Sequence, residues 1–229
     1  MGSAAAVQSR RTFATRLVLY MFRKCERSQF DGIEIGVMTN KKFDAEMART
    51  KVIIALVLIR EFDPRRYRYL QRDVKRIMVW GHPGHLGTWH NTSALCELSQ
   101  KHVLDPETMP EVLAAIIVHE AMHGRLFRWG VGYEEEKRER IEHICFKAEI
   151  AFARRLPLTK KAARKEIMST ARRQLVRDPA IWTDRGQFES WPRAMRESTN
   201  HPWFLNLVEK WVMAKRGWTD NLQKEKAAS

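Results

Sequence analysis

Apolar positions recur at helical spacing over most of the chain and at strand spacing over one short interval. Residues 11–27 and 44–61 carry the helical pattern, and the second run stops at Phe62-Asp63-Pro64, where proline removes a backbone donor and breaks the helix. Residues 64–71, PRRYRYLQ, read as one more short helix. The period then changes. Val74, Ile77 and Val79 alternate toward a strand at 75–80, and GHPGHLG after it is turn chemistry. Residues 88–91 and 94–98 are further strand candidates, predicting a small antiparallel sheet. Asp105-Pro106-Glu107 opens a loop, and Thr108, Pro110 and Glu111 mark the start of a long helix to about Arg128. Gly130 and Gly132 end it. A second long helix runs from Glu134 to Arg155 and stops at Leu156-Pro157. The remainder is predicted helical, punctuated by Asp178-Pro179, Trp191-Pro192 and His201-Pro202. Phe204, Leu207, Val208 and Trp211 keep core-facing spacing there, and Trp182, Trp191, Trp203 and Trp218 are expected to pack this tail. The pattern predicts one α+β domain, mostly α, over 1–229: N-terminal helices in 1–72, a small sheet in 73–104, two long helices in 105–156 and a helical tail in 157–229.

Composition adds three constraints. Hydrophobic residues make up 44% and charged residues 30% of 229, the balance of a folded domain with a core. No apolar run approaches the ~20 residues of a membrane span. The longest, Val52 to Ile59, reads as buried helix, and Leu17 to Phe22 lacks a small-residue cleavage site. Cys25, Cys96 and Cys145 are odd in number, far apart and without CxxC spacing, so a reducing, cytoplasmic setting is expected. The net charge of +14 admits a nucleic-acid or anionic-membrane partner. Much of it lies in 154–177, where nine Lys and Arg accompany Ile167, Met168, Ala171 and Leu175 at helical spacing. A solvated helix face accounts for that run, and no zinc-finger, RNP or helix-turn-helix signature is present.

Ile117-Val118-His119-Glu120-Ala121-Met122-His123 contains H-E-x-x-H. Residues i and i+4 share a helix face, so His119 and His123 can meet one ion. Glu120 lies about 100° round the helix, placed to reach a water beside the metal rather than the metal itself. A catalytic zinc takes three protein ligands and leaves a position open. Glu120 is then the general base that takes the water's proton. Leu113, Ile116, Ile117, Val118 and Met122 make this helix strongly apolar, and buried histidines and glutamates are costly unless paired or metal-bound.

Metzincins place a third histidine six residues after the second motif histidine; here that position is Trp129. Glu142 follows His123 with eighteen residues between. This resembles the H-E-x-x-H-x18-E spacing of gluzincin aminopeptidases, and thermolysin-like enzymes use nearly the same spacing. The resemblance covers residues 116–152. It implies a zincin-like arrangement, one Zn2+ per chain held by His119, His123 and Glu142, and hydrolysis of a peptide or protein substrate. It also implies an edge strand beside the metal helix, within 88–99, that takes up extended substrate by strand addition. The glycine-rich exopeptidase motif of those enzymes is not found upstream.

The helical wheel of RERIEHICFKAEIAF agrees with Glu142. Ile141, Ile144, Cys145, Ala148 and Phe152 form the buried stripe, and Glu142 and Glu149 border it. Glu149 is either a partner that orients a ligand histidine or an alternative ligand. His143 points away from the stripe, and Cys145 reads as a small core residue. Glu134–Glu136 and Arg138 read as a solvated first turn. Tyr133, Arg138 and His90 are candidates to stabilise an oxyanion, Tyr133 foremost. His82, His85 and His90 sit in or beside a glycine-proline turn without ligand spacing and read as loop residues. The competing expectation is a non-catalytic basic protein with a structural or vestigial zinc site that binds nucleic acid. Oligomeric state is not legible.

Overall fold

A computed structural model describes residues 13–39, 41–81 and 86–183. Its described part is mostly helical with a small sheet, the α+β class expected. The helices are α1 (Phe13–Lys24), α2 (Lys42–Phe62), α3 (Pro64–Asp73), α4 (Gln100–Leu104), α5 (Pro110–Arg128), α6 (Glu135–Ala153) and α7 (Lys161–Leu175). The strands are β1 (Glu26–Phe30), β2 (Ile33–Val37), β3 (Arg76–Trp80), β4 (Gly87–His90) and β5 (Leu95–Ser99).

The sheet departs from expectation in two ways. Residues 26–37 form a hairpin, so the N-terminal segment is not helices alone, and the first helix stops before the predicted Arg27. Asp31 (φ 47°) and Gly32 (φ 84°) both lie in the left-handed region, the two-residue turn that matches strand twist. The sheet is also mixed rather than antiparallel, in the order β1-β2-β3-β5-β4. β2 and β3 run parallel, as do β3 and β5, while the outer pairs β1–β2 and β4–β5 are antiparallel. Parallel neighbours need a long crossover, and α2 with α3 supplies it between β2 and β3.

Alternation along the strands sends side chains to two layers. Ile33, Ile35, Val37, Ile77, Val79, Cys96 and Leu98 pack with α2 and α5 in the main core. Met78 and Leu95 face the other way, against Phe22 of α1 and Cys25. In α2 the buried residues Ala45, Ala48, Val52, Ala55, Leu56 and Ile59 keep three- and four-residue spacing. α6 buries Ala148 and Phe152, and α7 buries Ile167 and Ala171, so the basic run of 154–177 is a helix with an apolar face and a charged one.

Asp63 separates α2 from α3. Its N–H donates to Ile59 O, and its carboxylate caps the backbone N–H of Arg66 at 3.2 Å, with Pro64 in the first turn. The described residues through Arg177 form one compact unit. Asp178 opens a second, whose described part is a 3-10 turn at Pro179–Trp182. The tail beyond residue 183, with Trp191, Trp203, Trp211 and Trp218, lies outside the described residues, as do His82 and His85. No described helix is long and apolar enough to cross a membrane.

Candidate metal centre

α5 and α6 carry the site. Burial on nearly every side of α5 follows from its composition: residues 113–120 are all buried, from Leu113 to Glu120. His119 and His123, one turn apart, bring their ring centroids within 5.0 Å. Glu142 of α6 faces both. Its Oε2 lies 3.1 Å from His119 Nε2 and its Oε1 3.4 Å from His123 Nε2. On the far side of His119, Nδ1 lies 2.6 Å from Glu149 Oε1. A carboxylate on the second ring nitrogen fixes the tautomer and aims the first, and seven-residue spacing on one helix allows Glu142 and Glu149 to hold opposite edges of one imidazole.

The electrostatics are those of a negatively crowded, buried cluster. Burial and the charges of Glu142, Glu149 and Glu97 push Glu120 up to about 8, against the pull of His119. Burial disfavours a charged His119, yet hydrogen bonds to Glu142 and Glu149 raise its pKa well above the ordinary value. His123 is held down at about 4 by burial and by the neighbouring His119, with Glu142 opposing. Burial works against an ionised Glu142, but His119, His123 and Tyr133 together bring it to about 2. Glu120, Glu142 and Glu149 are all buried, and among the described residues the groups facing Glu142 and Glu149 in place of a cation are the imidazoles of His119 and His123, the latter held neutral. Buried charge of this kind is balanced by a cation or coordinates one.

Cys145 is the residue whose position the sequence reading missed. It is fully buried beside Leu126 and Ile141, as a core residue would be, yet its Sγ and the ligand nitrogens of His119 and His123 lie within 4.8 Å of one another. A signal was available: Cys145 is three residues after Glu142 and so shares its helix face. Burial and the nearby Glu142, Glu120 and Glu149 raise the thiol pKa well above 9.0. A protonated thiol is a poor metal ligand, since the thiolate does the binding. A bound metal would displace that proton, so the Glu142 carboxylate, 3.1 and 3.4 Å from the two imidazole nitrogens, and the Cys145 thiol are both placed to be a third donor. Two imidazole nitrogens and a carboxylate, with the distal nitrogen of His119 already taken, fit a catalytic zinc.

Tyr133 precedes α6 and donates its hydroxyl to Glu142, its ring edge-on to His123 at 5.4 Å between centroids. Arg138 is buried, with its guanidinium 5.2 Å from the Tyr133 ring centre, which corrects its reading as part of a solvated turn. It lies one helical turn into α6, where the helix meets the Tyr133 loop. His90 is the last residue of β4 rather than a loop residue, and its Nε2 lies 2.7 Å from the buried Glu97.

Beside α5 runs β4, an edge of the sheet. A methyl group at Gly87 would lie 2.8 Å from Glu120 Oε1 and 2.9 Å from Ile116 Cγ2, so the Glu120 carboxylate rests directly on this strand. Two residues on, the Trp89 ring covers Gly124, where a methyl would approach to 2.7 Å. The predicted substrate strand at 88–99 is therefore narrower than expected: β5 is paired on both sides, and of the two strands in that stretch only β4 lies at a sheet edge among the described residues. No protein family, curated protein or solved structure matches this chain, so the reading of the site rests on its own residues.

Proposed function

We propose that this protein is a zinc-dependent hydrolase, of the metallopeptidase type, with His119, His123 and Glu142 as ligands and Glu120 as general base. The observation that carries the reading is the convergence of both histidine Nε2 atoms on the Glu142 carboxylate, with a further buried glutamate at the i+1 position of H-E-x-x-H. A purely structural metal site has no use for that glutamate. What the ion supplies when bound is Lewis acidity, lowering the pKa of a coordinated water to about 7. A cation held beside Glu120 would draw its raised pKa back down, and the Glu120 carboxylate would then take a proton from the attacking water and deliver it to the leaving nitrogen. Glu149 holds the His119 ring in register. Tyr133, whose hydroxyl donates to Glu142, would serve the developing oxyanion by turning that proton from the carboxylate to the substrate oxygen. The open edge of β4 accepts extended substrate backbone beside Glu120, the role that the gluzincin resemblance implies for an edge strand.

Elemental analysis combined with a fluorogenic peptide assay tests this. The wild-type chain is expected to carry about one zinc, the single-ion stoichiometry of such catalytic sites. Glu120→Gln is expected to keep the metal and the fold while losing about 100-fold or more in hydrolysis, the range for removal of a general base. His123→Ala and Glu142→Ala are expected to lose the metal, and Cys145→Ala to keep it. A wild-type chain without stoichiometric transition metal refutes the proposal. Loss of metal in Cys145→Ala but not in Glu142→Ala moves the third ligand to the thiol.

A further inference from the structure

A second chemistry is concentrated where α3 meets the C-terminal end of α5, away from the metal ligands. Arg65, Arg68, Tyr69 and Arg72 recur at i, i+3, i+4 and i+7 and form one face of α3. The opposite face buries Tyr67 and Leu70. α5 adds Arg125, Arg128 and Trp129, the last 59% exposed at the helix C-cap. The Arg125 guanidinium is sandwiched between two rings, 3.8 Å from the centre of Tyr69 and 4.5 Å from that of Trp129. Arg65 donates from Nε to the Tyr69 hydroxyl at 3.0 Å.

Two buried aspartates anchor the ends of this face. Asp63 takes Arg66 and Arg155, and Asp73 takes Arg72 and Arg128. That pairing explains four arginines but leaves Arg65, Arg68 and Arg125 with no carboxylate partner among the described residues. Arg125 is held between the two rings and Arg65 by the Tyr69 hydroxyl, yet none of these three positive charges is neutralised, and the Trp129 ring beside them is exposed. A solvated face has no need of an exposed tryptophan, and an apolar docking face would not carry unpaired arginines. The positive field is visible in Tyr69, whose pKa is lowered by the Arg65 hydrogen bond first and then, against slight burial, by the charges of Arg65 and Arg125.

From this juxtaposition we infer that the α3–α5 face binds single-stranded nucleic acid, with a base stacking on the exposed Trp129 ring and the backbone phosphates meeting Arg65, Arg68 and Arg125. Aromatic platforms alternating with cations suit a single strand, whose bases are free to stack. A duplex hides those ring faces and would use the charge alone. The chain's net charge of +14 favours the same class of partner. This goes beyond the proposed hydrolysis and does not depend on it.

Fluorescence anisotropy of the full chain with a labelled 20-nucleotide oligothymidine tests the inference, with the matching duplex and heparin as comparisons. Binding is expected to weaken with salt, and Trp129→Ala to reduce affinity about tenfold, as loss of a base–aromatic stack does. The double variant Arg65→Gln/Arg68→Gln is expected to flatten the salt dependence by about 1.4 in log–log slope, two phosphate contacts at about 0.7 each. All three positions are exposed, and circular dichroism checks that each variant is folded. Zinc content and peptide hydrolysis are expected to stay at wild-type values, which separates this face from the metal centre. Absence of oligothymidine binding overturns the inference. So does binding that Trp129→Ala leaves unchanged, or duplex and heparin binding as tight as the single strand, since each reduces the face to bulk charge.

Discussion

The contact between Gly87 and Glu120 is the most demanding single-residue feature of the site. The strand backbone lies against the carboxylate with no room for a methyl group, and Ile116 closes the other side. Gly87→Ala is therefore expected to displace Glu120. Overpacking of this kind costs about 1–3 kcal/mol, and misplacing a catalytic group by about 1 Å costs about 100-fold in rate. Thermal melts and peptide hydrolysis on the same preparation check it. A variant with unaltered hydrolysis would show that Glu120 has freedom the packing denies. At this scale the sequence was informative where spacing maps onto helix geometry: His119, Glu120, His123, Glu142 and Glu149 are all brought together. Cys145 lies in the core as its place on the apolar stripe implies, but that one helix position also brings its Sγ near the two imidazoles, which the stripe alone does not indicate. Arg138 was misjudged because a helix's first turn is usually solvated, whereas here it is buried with its guanidinium near the Tyr133 ring.

Among the elements, the junction between α2 and α3 depends on one residue. Asp63 is fully buried, caps the Arg66 N–H and pairs with Arg66 and Arg155. Asp63→Ala removes a cap worth about 0.5–2 kcal/mol. Of its two partners, Arg155 is 49% exposed and resolvates, while Arg66 is 23% exposed and loses its only carboxylate among the described residues. A loss of about 1–2 kcal/mol in denaturant unfolding is expected on that cap value, and a neutral effect would mean the arginines, not the cap, organise the junction. Pro64 made this break legible in advance. The β1–β2 hairpin was equally legible, because Asp31-Gly32 between Phe30 and Ile33 is a strong hairpin signal. The helical pattern assigned through Arg27 obscured it, the polar Glu26–Gln29 run having little strand character. What no local pattern contains is pairing: that β3 lies parallel between β2 and β5 is a long-range result. That placement leaves β4, not β5, as the open edge beside Glu120.

At the scale of the molecule, the sheet and α5 are joined by α4 and the loop to Pro110, and this joint contains a titrating group. His102 on α4 is half-buried, its Nδ1 3.3 Å from the hydroxyl of the buried Thr108, with Asp105 and Lys51 the charged groups facing it. Lys51 reaches across from α2 to donate to Asp105 O at 2.6 Å. Burial first, and then the Lys51 charge, lower the His102 pKa below its ordinary 6.5, against the opposing pull of Asp105. The folded state thus binds this proton less readily than the unfolded chain does. Between the ordinary value and the depressed one, the unfolded chain carries the proton and the folded chain does not, so stability rises with pH. Its contribution is complete above about 6.5, the ordinary histidine value, and is lost as pH falls below it. His123, also depressed, acts in the same direction, so removing His102 reduces the acid sensitivity without abolishing it. Melting temperatures at pH 7.5 and 5.5 are expected to differ less in His102→Gln than in the wild type, with the gain concentrated at the lower pH. If the two chains lose the same stability on acidification, His102 takes up its proton without unfolding, and the α4 joint is more open to water than its packing against Thr108 and Lys51 implies.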